Sequence, residues 1–321
     1  MRYFVTGGAG FIGSNYVAYL FATEKNLSAV TIYDKFTYAG NPKNYEDYLD
    51  DPRLTVIQGD ICDAQALNLA MKDHDYVIHF AAESHVDRSI ENASYFVQTN
   101  VAGTLNVLEA CFRLGVQTLI HVSTDEVYGS LLTGSASEDH LLKPNSPYAA
   151  SKASSDLIAR SYFVTHGLDV RITRCCNNYG RYQFPEKVIP VFIRALSGGG
   201  SVPIYGNGDN VREWVHVDDH CQGIQAVLKK GTAGEIYNIG TGYHLTNSDL
   251  AQAIMREMGI TENRVSYVSD RKGHDFRYSV NSHKIAEIGF LPRISFQVGL
   301  SKTIDWYLGN QGWFLREERL H

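Results

Sequence analysis

The stretch TGGAGFIGS, Thr6 to Ser14, decides the fold. It follows a β-branched and aromatic run, RYFVT (2–6), and opens a helix-like segment, SNYVAYLFAT (14–23). It parses as GxGxxG (Gly8, Gly10, Gly13) or as GxxGxxG (Gly7, Gly10, Gly13). Either spacing lets the main chain approach a pyrophosphate whose charge sits on a helix N-terminus. A tight strand-to-helix turn would use the same glycines, so the context decides. Tyr33-Asp34 ends the next strand-like run about twenty residues further on, where an acid can bond a ribose 2′-hydroxyl. That acid would repel a 2′-phosphate, which favours NAD over NADP. Asp60-Ile61, in GDICD past the third run, would flank the adenine. For Asp60 and Asp63 an ordinary helix N-cap is an equal alternative.

Outward from this loop, strand-like runs alternate with helical patterns through residue 175. The strands are RYFVT, AVTIY (29–33), LTVIQ (54–58), YVIHF (76–80), TLIHV (118–122) and DVRIT (169–173). Helical patterns include TNVAGTLNVLEACFRL (99–114) and ASKASSDLIARSYFVTH (150–166). Such alternation predicts an α/β fold, a doubly wound parallel sheet of Rossmann type, with ligands at the carboxyl ends of the strands. After residue 175 glycine punctuation (SGGG, 197–200; YGNGDN, 205–210) and shorter elements take over. The expected division is a dinucleotide-binding domain over 1–175, rejoined by part of 211–230, and a smaller C-terminal substrate-binding lobe over 176–321.

The 321 residues are 44% hydrophobic with a net charge of −6, enough chain for a large core and no global basic field for nucleic acid or anionic lipid. Five scattered cysteines without a CxxC pair fit a reducing compartment. No apolar run approaches the ~18 residues of a membrane span, and no leader pattern precedes the first strand. A soluble cytoplasmic protein is the expectation.

Two features carry chemistry. STDEVYG (123–129) sets two acids, Asp125 and Glu126, side by side where a strand runs out. SPYAASK (146–152) supplies Tyr148 and Lys152 at i, i+4 on one helix face. A phenol with its free pKa of ~10 is a poor base, and a neighbouring ammonium and an oxidised nicotinamide would both favour the phenolate. Taken alone, YxxxK is a surface pair and DE a solvated loop. Behind a dinucleotide fold they read as a site. Adjacent side chains on a regular strand point to opposite faces, so Asp125 and Glu126 can converge only if the strand has ended by residue 125.

TGGAGFIGS with Tyr148-x-x-x-Lys152 resembles the extended short-chain dehydrogenase/reductase family. DKFTYAGN (34–41), AAESHVDRSI (81–90), STDEVYG, SPYAASKASSD, NNYGRYQFPEKVIP (177–190), PIYGNGDNVREWVHVDDH (203–220) and RKGHDFRYSV (271–280) narrow the resemblance to the dTDP-glucose 4,6-dehydratases within it, over nearly the whole chain. The resemblance implies oxidation of dTDP-glucose at C4 with bound NAD, loss of water across C5 and C6, and return of the hydride to C6. It implies Tyr148 as base at the 4-hydroxyl, Thr124 bonded to the same oxygen, Lys152 beside them, Glu126 as base for the C5 proton and Asp125 as acid for the departing 6-hydroxyl. For that, Asp125 must hold a proton near neutrality while Glu126 does not.

The cofactor set it implies starts with Gly7, Gly10, Phe11, Ile12 and Gly13, then Asp34, Lys35, Phe36 and Thr37, then Asp60 and Ile61. It continues with Phe80, Ala81, Ala82 and Ser84, and with Thr99 and Asn178, besides Tyr148 and Lys152. Ser84 and Thr124 would touch the sugar. The nucleotide and its diphosphate would meet Asn177, Glu186, Lys187 and Val188, then Pro203, Ile204, Tyr205 and Arg212. Asn247, Asp270, Arg271 and His274 complete that set. Arginine forks suit diphosphate oxygens. The helices over 99–114 and 150–166 would pair across a homodimer, though a buried core face explains their apolar surface equally well.

His216 and His220 in HVDDH lack a third ligand at a recognisable spacing, so no metal is expected, and Asp218 or Asp219 suits a helix N-cap. His85 is open between orienting substrate and a structural role. Residues 130–146 are too few to form much of a lid. Cys175 and Cys176 could be oxidation-sensitive or simply small buried hydrophobes. A nucleotide-sugar 4-epimerase, a 4,6-dehydratase for a UDP-, CDP- or GDP-sugar, and a cofactor-binding protein without turnover are the alternatives. The epimerase has no use for Asp125-Glu126.

Overall fold

The computed structural model describes residues 1–313. Seven strands form one parallel sheet: β1 (Arg2–Thr6), β2 (Ala29–Asp34), β3 (Leu54–Gln58), β4 (Tyr76–His79), β5 (Thr118–Thr124), β6 (Val170–Cys175) and a later strand, β10 (Ile236–Ile239). Their order is β3-β2-β1-β4-β5-β6-β10, every neighbouring pair parallel. The order reverses between β1 and β4, and the crevice outside that switch point is where such sheets bind ligands.

Alternation along each strand feeds two cores. Tyr3, Val5, Ile32, Ile78 and Ile120 face α1 (Phe11–Thr23) and α8 (Val217–Lys230). Phe4, Val77, Leu119 and Ile172 face α2 (Ala64–Ala70), α5 (Thr104–Leu114) and α6 (Pro147–His166). Both faces are therefore covered, which is why these strands read as continuous apolar runs.

The pattern over 99–114 reads as one helix, but α5 begins only at Thr104, and Val97–Gly103 is π-helical. Two short helices, α3 (Val86–Glu91) and α4 (Ala93–Phe96), precede that stretch. The wider turn places Asn100 inward, donating to the Glu83 carbonyl (3.0 Å) and Ser151 Oγ (2.8 Å) and accepting from the Glu83 N–H (2.8 Å). It thus ties the loop after β4 to α6, in keeping with the habit of π-turns to occur at functional sites.

The second lobe carries β7 (Asn177–Tyr179), β9 (Val211–His216) and β11 (His244–Thr246) in one small sheet, and β8 (Val202–Tyr205) paired with β12 (Val265–Val268). Its core is built from α7 (Val188–Ser197), α9 (Asn247–Glu257) and α11 (Phe296–Gly309), with Trp214 and Ile204 between them. A short α10 (His283–Glu287) lies beside β10. Within 211–230 the strand joins the small sheet while α8 returns to the large one. The cap of α8 is His216, whose ring accepts the Asp218 N–H at 3.3 Å, not Asp218 or Asp219. The helix starts at Val217, too early for either acid to cap it. Asp219 instead accepts the N–H groups of Arg293 (3.0 Å) and Ile294 (2.8 Å).

Candidate active site

β5 ends at Thr124, and Asp125–Tyr128 is a 3-10 turn. The condition on Asp125 and Glu126 is therefore met: the two acids follow the strand rather than lie on it. Thr124 caps the turn, its Oγ1 accepting the Glu126 N–H and donating to Asp125 Oδ1, each at 3.2 Å. Gly129 closes the turn at φ +75°, so tightly that a Cβ there would lie 2.0 Å from the Lys143 carbonyl oxygen.

Ser146 caps α6, accepting the Ala149 N–H at 3.1 Å, with Pro147 at the first helical position. This start places Tyr148 and Lys152 one turn apart in the same cleft as Thr124, Asp125 and Glu126. Lys152 is buried and donates to the Val122 carbonyl at 2.8 Å. The expected lowering of the Tyr148 phenol is not what the protein alone provides. Burial raises it well above 10, the Glu126 and Asp125 charges add to that, and Thr124 opposes them.

The two acids differ in surroundings. Burial, then the charge of Glu126, raises Asp125 well above the carboxylate range, and its Oδ2 has no hydrogen-bond partner among the described residues. Burial also raises Glu126, but Arg212, Arg271 and Lys187 pull the other way.

The cleft encloses about 440 Å³ along the carboxyl ends of β1, β4 and β5. Every residue expected for the cofactor lines it except Phe36. That residue turns at φ +55° and packs its ring on the core around α1. The lining fits a dinucleotide. Gly10 caps α1 without a side-chain acceptor, leaving the first-turn N–H groups for phosphate. Gly7, at φ +68°, lies where a Cβ would be 2.6 Å from the Ala81 nitrogen. Asp34, raised by burial, accepts the N–H groups of Ala9 (3.0 Å) and Phe36 (2.8 Å) and keeps lone pairs for ribose hydroxyls. Lys35 pairs with Asp60 at 2.7 Å, so its charge is already matched. Asp63, not Asp60, caps α2.

Ser84, Thr124, Asn177, Glu186 and Lys187 line the same cleft. The remaining substrate candidates lie outside it. Ile204 is buried in the lobe core and Val188 packs against it, so their side chains face protein. Pro203 and Tyr205 alternate to the other face of β8, where Tyr205 is exposed. Arg212 is buried over the Tyr278 ring (4.4 Å) and donates to the Val211 (2.8 Å) and Asp275 (3.0 Å) carbonyls. His274 Nδ1 is 2.6 Å from Asp270 Oδ1, and Arg271 lies 3.8 Å from Asp87. Asn247 opens α9, its N–H bonded to the Asn210 carbonyl.

His85 caps α3, accepting the Arg88 N–H at 3.4 Å, and its Nε2 is 3.9 Å from Glu186. His220 is fully buried with neither ring nitrogen bonded among the described residues, its pKa pushed down to about 3 by burial. Among the described residues no cluster of three His, Cys, Asp or Glu side chains could hold a metal. Burial, then the Asp125 charge, pushes Cys175 up to about 12, and burial, then the Glu213 charge, raises Cys176 well above the ordinary thiol value, so neither is a thiolate near neutrality.

Sequence reasoning missed Glu83, Cys175, Gln183 and Phe184, which also line the cleft. Glu83 sits inside AAES and Gln183-Phe184 inside NNYGRYQFPEK, so the motifs marked the segments without saying which side chains turn inward.

The sequence pattern of the family described as GDP-mannose 4,6 dehydratase matches residues 4–303. A dTDP-glucose 4,6-dehydratase from Streptomyces griseus is 53% identical over 97% of this chain and 95% of its own length. One from Actinoplanes sp. is 50% identical over 98% of this chain and all of its own. The structure of the dTDP-glucose 4,6-dehydratase DesIV from Streptomyces venezuelae, solved with NAD bound, superposes with a TM-score of 0.96 at 54% identity, covering 98% of each chain.

Proposed function

The chain belongs to the family described as GDP-mannose 4,6 dehydratase, and within it we propose that it is an NAD-dependent dTDP-glucose 4,6-dehydratase, a hydro-lyase forming the 4-keto-6-deoxy sugar. The reading rests on one observation above all: two differently tuned acids on a 3-10 turn share a cleft with a Tyr-x-x-x-Lys pair. Bound NAD supplies the hydride acceptor at C4 and the donor at C6.

In this reading Tyr148 takes the 4-hydroxyl proton while Thr124 holds the oxygen and Lys152 supplies a buried cation one helical turn from Tyr148. A ketone at C4 acidifies the C5 proton, which Glu126 removes, and Asp125 protonates the departing 6-hydroxyl. Each positioned acid or base contributes about 10²–10⁴-fold. Burial favours a proton on Asp125, while at Glu126, also raised by burial, Arg212, Arg271 and Lys187 favour the ionised form. Asn177, Glu186 and Lys187, with Arg212 and the wall formed by Pro203 to Tyr205, Asn247 and Asp270 to His274, receive the nucleotide diphosphate. Val188 and Ile204 contribute through their main chain.

Residues 1–175 with α8 and β10 form the cofactor-binding domain in this reading, and most of the remainder the nucleotide-sugar lobe. Exposed Leu105 and Phe112 on α5 and Leu157 and Val164 on α6 favour a homodimer through these helices. Five free cysteines, and the absence among the described residues of any helix long and apolar enough to cross a membrane, suit the cytoplasm.

The test is incubation with dTDP-glucose and no added reductant, with UDP-, CDP- and GDP-glucose in parallel, following the alkaline absorbance of a 4-keto-6-deoxy product. Product from dTDP-glucose without net NADH supports the reading. A galacto-configured sugar without keto product overturns it in favour of an epimerase.

A further inference from the structure

The 3-10 turn that bears Asp125 and Glu126 ends at Tyr128, a residue the proposed reaction does not use. Its ring is buried with Val127, Ala153 and Val215 in a small apolar cluster, and its hydroxyl serves as both donor and acceptor. It donates to Asn238 Oδ1 on β10 at 2.8 Å and accepts from Arg174 Nη1 on β6 at 2.9 Å. Both partners are held in turn. Arg174 donates through Nε to Asp156 Oδ2 on α6 at 2.9 Å, with both side chains buried. Asn238, also buried, donates through Nδ2 to the Ala136 (3.0 Å) and Asn281 (3.2 Å) carbonyls. One phenol thus ties the turn to two strands of the parallel sheet and, through Arg174, to the helix that carries Tyr148 and Lys152.

The hydrogen bond that the Asp125 carboxyl makes among the described residues comes from Thr124, its neighbour and the cap of the same turn. Where that carboxyl stands is therefore set by where the backbone of the turn stands. At one end the turn continues from β5, and at the other the Tyr128 hydroxyl joins it to β6 and β10. We infer that Tyr128 is a positioning residue for elimination: its hydroxyl, shared between Arg174 and Asn238, holds the acid-bearing turn where proton transfer at C5 and C6 requires it. A misplacement of about 1 Å can cost about 10²-fold in rate. Oxidation at C4 uses Thr124, on β5, and Tyr148 and Lys152, on α6. Release of the turn should therefore slow elimination before it slows oxidation.

The inference rests on the dehydratase reading. The experiment compares the parent with Tyr128→Phe, Arg174→Lys and Tyr3→Phe. Tyr3 is the matched control: its hydroxyl also has two partners, Glu24 (3.2 Å) and Gln225 (3.4 Å), but it lies near the amino end of β1, away from the cleft. Melting curves, retained NAD, kcat and KM for dTDP-glucose, and the near-ultraviolet signal of reduced cofactor are recorded well below each melting temperature. Tyr128→Phe should lower kcat about 10–100-fold and leave KM and retained NAD within about twofold. It should also accumulate reduced cofactor during turnover, as the parent does not, because oxidation outruns elimination. Arg174→Lys keeps a cation for Asp156 but lacks the fork that reaches both partners, so the same signature should appear in weaker form. Tyr3→Phe should lose melting temperature with kcat unchanged and no cofactor signal. Should Tyr128→Phe not fold, Arg174→Lys decides by the same readout. A folded Tyr128→Phe with kcat within about threefold of the parent, a loss of kcat without reduced cofactor, or the same signature in Tyr3→Phe overturns the inference and leaves Tyr128 a structural residue. A parent without turnover would instead overturn the dehydratase reading.

Discussion

Replacing Asp125 by Asn should separate elimination from oxidation. The carboxyl is 3% exposed, among the described residues it is hydrogen-bonded only to Thr124, and burial and the Glu126 charge raise its pKa and so favour the protonated form. Asparagine matches its shape and still offers Oδ1 to the Thr124 hydroxyl, so the folding cost of that bond should not exceed about 1 kcal/mol. It has no acidic proton for the leaving 6-hydroxyl. Loss of one general acid should cut kcat about 10²–10⁴-fold, or roughly 3–5 kcal/mol of barrier. C4 oxidation does not use this proton, so mixing the variant with dTDP-glucose should produce a lasting near-ultraviolet signal of reduced cofactor. Stability should move oppositely. A carboxyl whose folded pKa lies above its unfolded value of ~3.9 is fully compatible with the fold below that pH, and its contribution is lost as pH rises toward the folded pKa. Asparagine escapes this loss, so the variant should melt above the parent beyond neutrality, with the gap closing near pH ~4. Turnover within about tenfold of the parent, or no cofactor reduction at all, would refute the assignment of the acid.

Glu126→Gln should also spare oxidation but abolish entry of solvent deuterium at C5, read by mass spectrometry of recovered sugar, whereas Asp125→Asn should retain some exchange. Arg212→Gln removes a cation that favours ionised Glu126, so the acidic limb of kcat should rise by on the order of one pH unit and KM for dTDP-glucose should increase. Gly13→Ala would place a Cβ 2.3 Å from the Gly7 carbonyl oxygen, and backbone cannot yield as a flexible side chain can. NAD retained through gel filtration should drop to a small fraction and stability should fall by about 1–3 kcal/mol. Leu157→Glu with Val164→Lys should shift sedimentation from dimer to monomer if the exposed faces of α5 and α6 pair.

The first half of the fold was legible because its signals are local. Glycine spacing after β1, apolar runs of strand length and the capped start at Ser146-Pro147 each act within a few residues. The failures were local as well, but invisible to periodicity. A π-turn keeps nearly the same apolar pattern as an α-helix, so 99–114 read as one helix. The cap of α8 depended on where β9 stopped, and Ile204 on which face of β8 met the lobe core. Phe36 sat between Lys35 and Thr37, which line the cleft, yet at φ +55° its ring packs on the core around α1.

By itself the sequence determined the element order, the parallel sheet, the NAD-type loop with Asp34, and the identities of Thr124, Asp125, Glu126, Tyr148 and Lys152. Tertiary structure alone decided that these five meet in one cleft with Lys187, and that Arg212 and Arg271 reach Glu126 from the other lobe. It also set the surroundings of the two acids apart, burial raising both while Arg212, Arg271 and Lys187 oppose that at Glu126. Ionisation depends on burial and on charges brought close from distant parts of the chain, and only packing sets those distances.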